Sequence, residues 1–366
     1  MKLLIVSNMY PSKRYPSYGT FVKNFCDQLG QAGIPYSLGV MRQSRNRLEK
    51  IGNYLKFYAG VTLRLLFGNY DTVYVHYASH SSIPVLLAAH LRKLKIITNV
   101  HGSDVIPENQ KQEKMQKYTE AILKKSAQVV VPSEYFKQIV CHKYHVEESK
   151  VSIYPSGGVD PKLFHPVDPE DCVETAGQLP GRKEDRPLFG MVGRISAGKG
   201  WDTFVRAIQI LEDRGAQADY VIVGDGVESP RLEQMTEDWG LEKRIIRLGL
   251  LPQSKLPEVY SLLDYFVFPT KREGESLGLV ALEAMACGTP VISSDYAAPA
   301  YYIQQGENGF KFPVDDAQAL AECMEKSISV WRERTAYEKM VEHAIHTASA
   351  YEPEKLREKL VEIMNR

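Results

Sequence analysis

Cysteine is scarce in this chain. Its five cysteines, Cys26, Cys141, Cys172, Cys287 and Cys323, are scattered with no C-x-x-C pair. That excludes a disulfide framework and fits a reducing, cytoplasmic setting. Cys141, His142 and His145 lie close together, but no second ligand pair follows at a zinc-site spacing. No run of about 18 apolar residues occurs, so no membrane-spanning helix is expected. The opening MKLLIVSNMYPS lacks the full hydrophobic core of a signal peptide and reads as a first buried strand. A D-x-D metal motif is missing too; Glu273-Gly-Glu275 has only its spacing, and no metal is expected. No recognised nucleic-acid module is present.

Net charge is also missing, but only as a sum. Residues 1–166 hold 22 Lys and Arg against 11 Asp and Glu, whereas residues 167–366 hold 23 against 34. A basic half joined to an acidic half suggests two domains with different partners, and a length of 366 residues suits two.

Both halves alternate strand-like and helix-like segments. The strands expected in the first are 3–8, 36–41, 72–77, 95–100, 128–133 and 151–156. Those in the second are 188–193, 220–226, 244–249, 265–270, 290–295 and 309–312. They are short and rich in Val and Ile, without strict alternation, as in parallel strands covered on both faces. Residues 165–187, with four prolines and two glycines, read as a linker. Two doubly wound α/β domains facing each other across a cleft are therefore expected, at 1–166 and 187–350. The stretch 351–366 is an amphipathic helix opened by Pro353, which stays with the second domain or returns to the first.

GRISAGKG, residues 193–200, has the spacing of a nucleotide-triphosphate loop. The Ser or Thr that would ligate magnesium is replaced by Gly200. The loop lies between an expected strand and the helix WDTFVRAIQILED, where backbone N–H groups favour an anion. Arg194 can grip phosphate oxygens in a fork, and Lys199 adds a point charge. A diphosphate held without magnesium fits this loop. Further on, EGESLGLVALEAMACGTPVI (273–292) places Glu275 in a loop, with a helix expected to open across Ser276–Gly278 and run to Ala286. If most of that span is helical, Glu275 and Glu283 lie up to roughly 12 Å apart along the axis. They then suit two parts of one elongated ligand, with the helix-start N–H groups between them. A carboxylate inside an apolar helix needs a partner, and a hydroxyl pair of a sugar or ribose would supply one.

At these residues the chain resembles the retaining glycosyltransferases of family 4, which have the GT-B architecture of two Rossmann-like domains. The pattern is a glutamate, seven residues and a second glutamate, within ESLGLVALEAMACGTPVI. GRISAGKG, VGDGVESPRLE (223–233), LGLLPQSKLPEVYSLLDYFVFPT (248–270) and YPSGGVDPKLFHP (154–166) follow the family's order. The resemblance implies that Arg194 and Lys199 bind the diphosphate of a nucleotide sugar, helped by the backbone of Ser276, Leu277, Gly278 and Leu279. Glu275 would contact the transferred sugar and Glu283 the ribose. The segment Arg247–Leu251, Leu248 included, would pass the base, while Gly224 and Gly226 keep the neighbouring strand end open. His101, in KIITNVHGSD, would hydrogen-bond the sugar, with Asp104 orienting it or touching the acceptor. Gly19 would contact phosphate or acceptor; relatives commonly carry two adjacent glycines there, and this chain has Tyr18-Gly19.

The implied reaction moves a sugar, with a uridine diphosphate donor as the default, to a saccharide or lipid-linked acceptor in bacterial surface polysaccharide or glycolipid assembly. Residues 42–67 carry six bases (Arg42, Arg45, Arg47, Lys50, Lys56, Arg64) and the single acid Glu49. They read as a basic amphipathic helix, either covering the sheet or lying on an anionic membrane surface. Two other readings fit the same residues: a nucleotide-sugar epimerase on this architecture, and a non-catalytic subunit of a glycosylating complex.

Overall fold

In the computed structural model, residues 2–16, 18–155, 157–177, 179 and 185–366 are described. The chain divides into two compact units, Met1–Gly158 with Pro353–Arg366, and Val159–Glu352. Each of the twelve segments expected to be strands overlaps one.

In the first unit the order is β1 (Leu3–Ser7), α1 (Thr20–Gln31), β2 (Tyr36–Val40), α2 (Arg47–Phe67), β3 (Thr72–His76), α3 (Ser82–Ala89), β4 (Lys95–Asn99), α4 (Gln110–Glu113), α5 (Gln116–Lys125), β5 (Gln128–Val131), α6 (Glu134–Tyr144) and β6 (Val151–Ile153). The strands form one parallel sheet in the order β2-β1-β3-β4-β5-β6. Strands β1 and β3 are buried at every position. Leu4, Val6, Val73 and Val75 pack with Phe57 and Val61 of α2, Val85 of α3 and Phe136 of α6. The alternate residues Leu3, Ile5 and Tyr74 pack with Phe25 of α1 and with Leu356 and Leu360 from the end of the chain. Burial on both faces explains why these strands read as continuous apolar runs.

The second unit contains α7 (Val173–Gly177), β7 (Leu188–Val192), α8 (Trp201–Asp213), β8 (Asp219–Val223), α9 (Ser229–Asp238), β9 (Ile245–Leu248), α10 (Leu256–Leu262), β10 (Tyr265–Phe268), α11 (Leu279–Ala286), β11 (Val291–Ser294), β12 (Gly309–Phe312), α12 (Ala317–Arg332) and α13 (Arg334–Ser349). Its sheet is also parallel, in the order β12-β11-β10-β7-β8-β9. The order reverses between β7 and β10, and such a switch point leaves a crevice at the carboxyl ends of the strands. The last helix, α14 (Pro353–Asn365), belongs to the first unit, where Arg357 donates to Gln28 Oε1 at 3.1 Å and to Gln31 Oε1 at 2.7 Å.

Part of the stretch read as a linker packs on the second unit. Cys172 and Leu179 are buried beside Tyr260 and Leu262 of α10, and the Val167 N–H donates to Ser261 Oγ at 3.0 Å. Proline and charge dominate this stretch, but its few apolar side chains find a helix face to cover. Gln178 and residues 180–184 lie outside the described residues.

Candidate functional site

Two loops meet at the switch point of the second unit. One follows β7 and carries residues 193–200; the other follows β10 and leads to α11. The first runs beside the end of β8, with Gly193 N–H donating to Val223 O at 3.0 Å and Ile195 N–H to Asp225 O at 3.1 Å. Gly224 makes that approach possible. Its φ is +124°, and a Cβ there would sit 2.0 Å from Gly193 O. Gly200 answers the question raised by the missing Ser or Thr. It is left-handed, with φ +76°, and a Cβ would lie 1.7 Å from Pro269 O. Any larger residue would break the contact between the two loops, which Lys271 N–H to Gly198 O (2.8 Å) also closes.

Lys199 and Glu275 are brought together across these loops, with Nζ 2.8 Å from Oε2. The ammonium also lies 5.9 Å from the Phe268 ring centroid. Both side chains are mostly buried, so the pair is less screened than a surface one. Arg194 is different. It is exposed, and no side-chain partner among the described residues neutralises it.

The helix after Glu275 starts later than expected. Gly278 is left-handed, with φ +75°, and α11 begins at Leu279. Only the last four steps to Glu283 are therefore helical, a rise of about 6 Å. The physical reason is local crowding. A Cβ at Gly278 would meet Tyr302 Oη at 2.9 Å and Phe268 Cε1 at 3.0 Å, so only glycine fits the left-handed turn that precedes the helix. The backbone N–H groups of residues 276–280 have no protein acceptor among the described residues. They form an open donor set at the helix start.

Glu283 lies buried in α11, and the one described hydrogen bond to its carboxylate comes from Tyr260 Oη, at a long 3.4 Å. Burial pushes its pKa up to about 7, with the tyrosine bond opposing the shift. Leu248 is buried, and its carbonyl accepts the Gly224 N–H at 2.9 Å. Arg247 reaches back to Gly224 O at 3.4 Å, and burial lowers its pKa. A Cβ on Gly226 would meet Ile195 O at 2.1 Å, so this glycine keeps the loop close.

The first unit gathers a different set. His101 follows β4, half-buried, with its ring 4.3 Å from that of Phe21. Asp104 is fully buried and accepts backbone N–H groups from His101 (3.0 Å), Gly102 (2.8 Å) and Ala78 (2.9 Å). The expectation that Asp104 touches an acceptor is therefore corrected: three backbone donors use its carboxylate, which fixes the loop holding His101. Gly19 has φ +76° and lies against the backbone of Met9 and Tyr10. The two backbone segments approach so closely that no side chain fits there.

The residues missed from sequence are Phe21, His76, Tyr260 and Tyr302. Only His76 carried a signal, a polar residue closing a buried strand. No three His, Cys, Asp or Glu side chains form a metal-holding cluster among the described residues. No described helix is long and apolar enough to cross a membrane.

The family models agree with this geometry. Residues 19–162 match Glycosyltransferase Family 4, and residues 175–346 match Glycosyl transferases group 1. The 2-deoxystreptamine N-acetyl-D-glucosaminyltransferase of Streptomyces fradiae is 36% identical over 149 residues, 40% of this chain and 34% of that protein. The lipopolysaccharide core biosynthesis mannosyltransferase LpcC of Rhizobium leguminosarum bv. viciae is 36% identical over 173 residues, 46% of this chain and 47% of that protein. The chain thus spans about a third to a half of the length of these relatives. Among solved structures, a glycosyltransferase from Rickettsia africae superposes with a TM-score of 0.78 at 20% identity, covering 99% of this chain and 97% of that one. Anabaena Alr3699/HepE in complex with UDP gives a TM-score of 0.75 at 16% identity, covering 100% of both. These likenesses establish the fold, two Rossmann-like domains of the GT-B kind. Through both of its units, the chain belongs to the glycosyltransferases of the group 1 and family 4 type.

Proposed function

We propose that the chain transfers a sugar, with retention of configuration, from a nucleoside-diphosphate sugar to a saccharide or lipid-linked acceptor. One observation carries this reading. At the switch point of the second unit, the loop that carries Arg194 and Lys199 touches the loop that leads into an open row of helix-start N–H groups. That set suits two adjacent phosphates. The Lys199–Glu275 pair adds a carboxylate beside the phosphate cation, where the sugar of a donor would sit. Glu283, buried and poorly bonded, is assigned the ribose hydroxyls, and His101 a sugar hydroxyl. Gly19 is assigned to the phosphate or acceptor. The donor belongs to the second unit and the acceptor to the first.

In the reaction the bond between the sugar's anomeric carbon and the phosphate oxygen breaks, and a bond to the acceptor oxygen forms. The acceptor's proton goes to the departing phosphate. Arg194, Lys199 and the helix-start donors stabilise the charge that develops there. They are charges in place of a divalent ion, so turnover is expected to persist with a chelator present. A uridine base is the first choice, in keeping with the UDP complex of the Anabaena neighbour. Surface polysaccharide or glycolipid assembly is the expected setting, as for the mannosyltransferase relative.

Thermal-shift screening tests the donor. The right nucleotide sugar at 100 times its Kd stabilises the fold by about 2.7 kcal/mol; no shift with any of the UDP-, GDP- or ADP-sugars would defeat the reading. Product NMR with an α-linked donor is expected to give an α-linkage, and a β-linkage would rule out retention. Product formed without any acceptor would point instead to an epimerase.

A peripheral membrane contact is part of this reading. Helix α2 buries Phe57, Val61 and Leu65 on one side. Leu48, Ile51, Leu55, Leu63 and Phe67 are exposed, Leu48 and Phe67 at 82% each, and recur every three to eight residues along the opposite side. With Lys56 on the same side, such a face suits an anionic bilayer on the cytoplasmic side. Sedimentation with phosphatidylglycerol vesicles is expected to recover the protein, and Leu55→Ser with Leu63→Ser to abolish it.

A further inference from the structure

Behind His101 stands a second histidine that the proposed reaction does not use. His76 ends β3 and is fully buried. Its ring meets Phe25 edge-on at 4.6 Å and Tyr74 at 4.9 Å. Its Nδ1 lies 3.1 Å from His101 Nε2, while its own Nε2 is buried without a partner. Burial keeps both rings neutral. It lowers the His101 pKa to about 3 and that of His76 well below the ordinary value.

Two neutral imidazoles at this distance share one hydrogen bond, and so one proton lies between them. It can belong to either ring. If it sat on His101 Nε2, His76 would carry its own proton on Nε2, leaving a buried N–H with nothing to accept it. If it sits on His76 Nδ1, the orphaned buried atom is only a lone pair, and the N–H left over belongs to His101, whose half-buried ring is open to water or a ligand. Buried donors without partners are rarer than under-used acceptors. The second arrangement is therefore favoured. His101 Nε2 then accepts, and the proton of His101 resides on Nδ1, for which the described residues offer no partner.

We propose that His76 is a positioning residue: by donating from Nδ1 to His101 Nε2 it holds His101 as the Nδ1–H tautomer, so that His101 meets its ligand as a hydrogen-bond donor and not as a base. Everything else about His101 is already constrained. Asp104 fixes its backbone N–H, and Phe21 covers its ring. The tautomer is the one freedom left, and it decides whether the ring complements an oxygen lone pair or a hydroxyl proton. The catalytic consequence rests on the assignment of His101 to a sugar hydroxyl; the tautomer does not.

The test has two arms. Nitrogen-15 NMR of the histidine-labelled full chain at pH 7 is expected to show both His76 and His101 protonated on Nδ1. His101 protonated on Nε2 would overturn the proposal. In the second arm, His76→Leu removes the donor, while His76→Asn keeps an N–H near the same point. His76→Leu is expected to lower kcat/KM by ~10- to 100-fold, in line with misorientation of a reacting group, and His76→Asn to restore most of it. Equal losses in the two variants, with unchanged melting temperatures, would overturn the positioning role. If His76→Leu does not fold, the wild-type spectrum still decides the tautomer. An Nδ1–H signal with full activity in His76→Leu would defeat the sugar assignment of His101 while upholding the tautomer.

Discussion

The two units share one architecture but build their functional ends from opposite materials. The second unit uses charge and glycine: Arg194, Lys199, Glu275 and the glycines that let two loops touch at the β7–β10 switch point. The first uses buried and aromatic groups: His76 and His101 in contact, Phe21 over one ring, and Asp104 beneath the loop. Anion binding needs positive charge and exposed N–H groups, and these come from short contiguous stretches. Holding a ring in one orientation needs packing from several directions, and those side chains come from distant parts of the chain.

The comparison is broken most directly at the charges. Arg194→Ala and Lys199→Ala are each expected to reduce turnover by ~100-fold or more, the usual loss of a donor that stabilises developing charge. Near-normal steady-state turnover in both would remove the charged half of the contrast. Glu275→Ala sharpens it, because that change frees Lys199. Calorimetry should show nucleotide affinity kept or improved while binding of the intact donor is weakened.

A middle-sized effect is expected beneath His101. Asp104→Ala strands three backbone N–H groups, at about 1–3 kcal/mol for each group left buried and unpaired. A loss of about 3 kcal/mol in urea unfolding fits this account. Unchanged stability would mean that solvent reaches the loop and that the first unit is not held by its buried network.

The smallest effect concerns protons. The Glu283 pKa is about 7 in the folded chain, raised by burial from an ordinary 4.5. Between those values the folded state holds a proton that the unfolded state has lost. Stability therefore falls as pH rises through this window and levels off above it. Hydroxyls donating to the carboxylate favour its charged form. Nucleotide binding at pH 6.5 is then expected to release up to about three-quarters of a proton, seen in calorimetry with buffers of different ionisation enthalpy. Glu283→Gln should abolish the release, and release that persists in Glu283→Gln would assign it to another group.

What the sequence determined by itself is the periodic and local part: twelve strands, two doubly wound units, and the charged loops of the second. Apolar runs report burial on both faces, and GRISAGKG announces an anion loop because its charges and glycines are neighbours in the chain. Its steric logic stayed hidden, since Gly200 is required by the carbonyl of Pro269, nearly 70 residues away. The start of α11 also lay beyond reach, because the turn at Gly278 packs against Tyr302 and Phe268, which are not its neighbours in sequence. Only the tertiary structure placed His76 against His101, left Glu283 with one long bond, and turned Asp104 inward. Each depends on how side chains distant in sequence share a low-dielectric interior, and that sharing exists only once both faces of the sheets are covered.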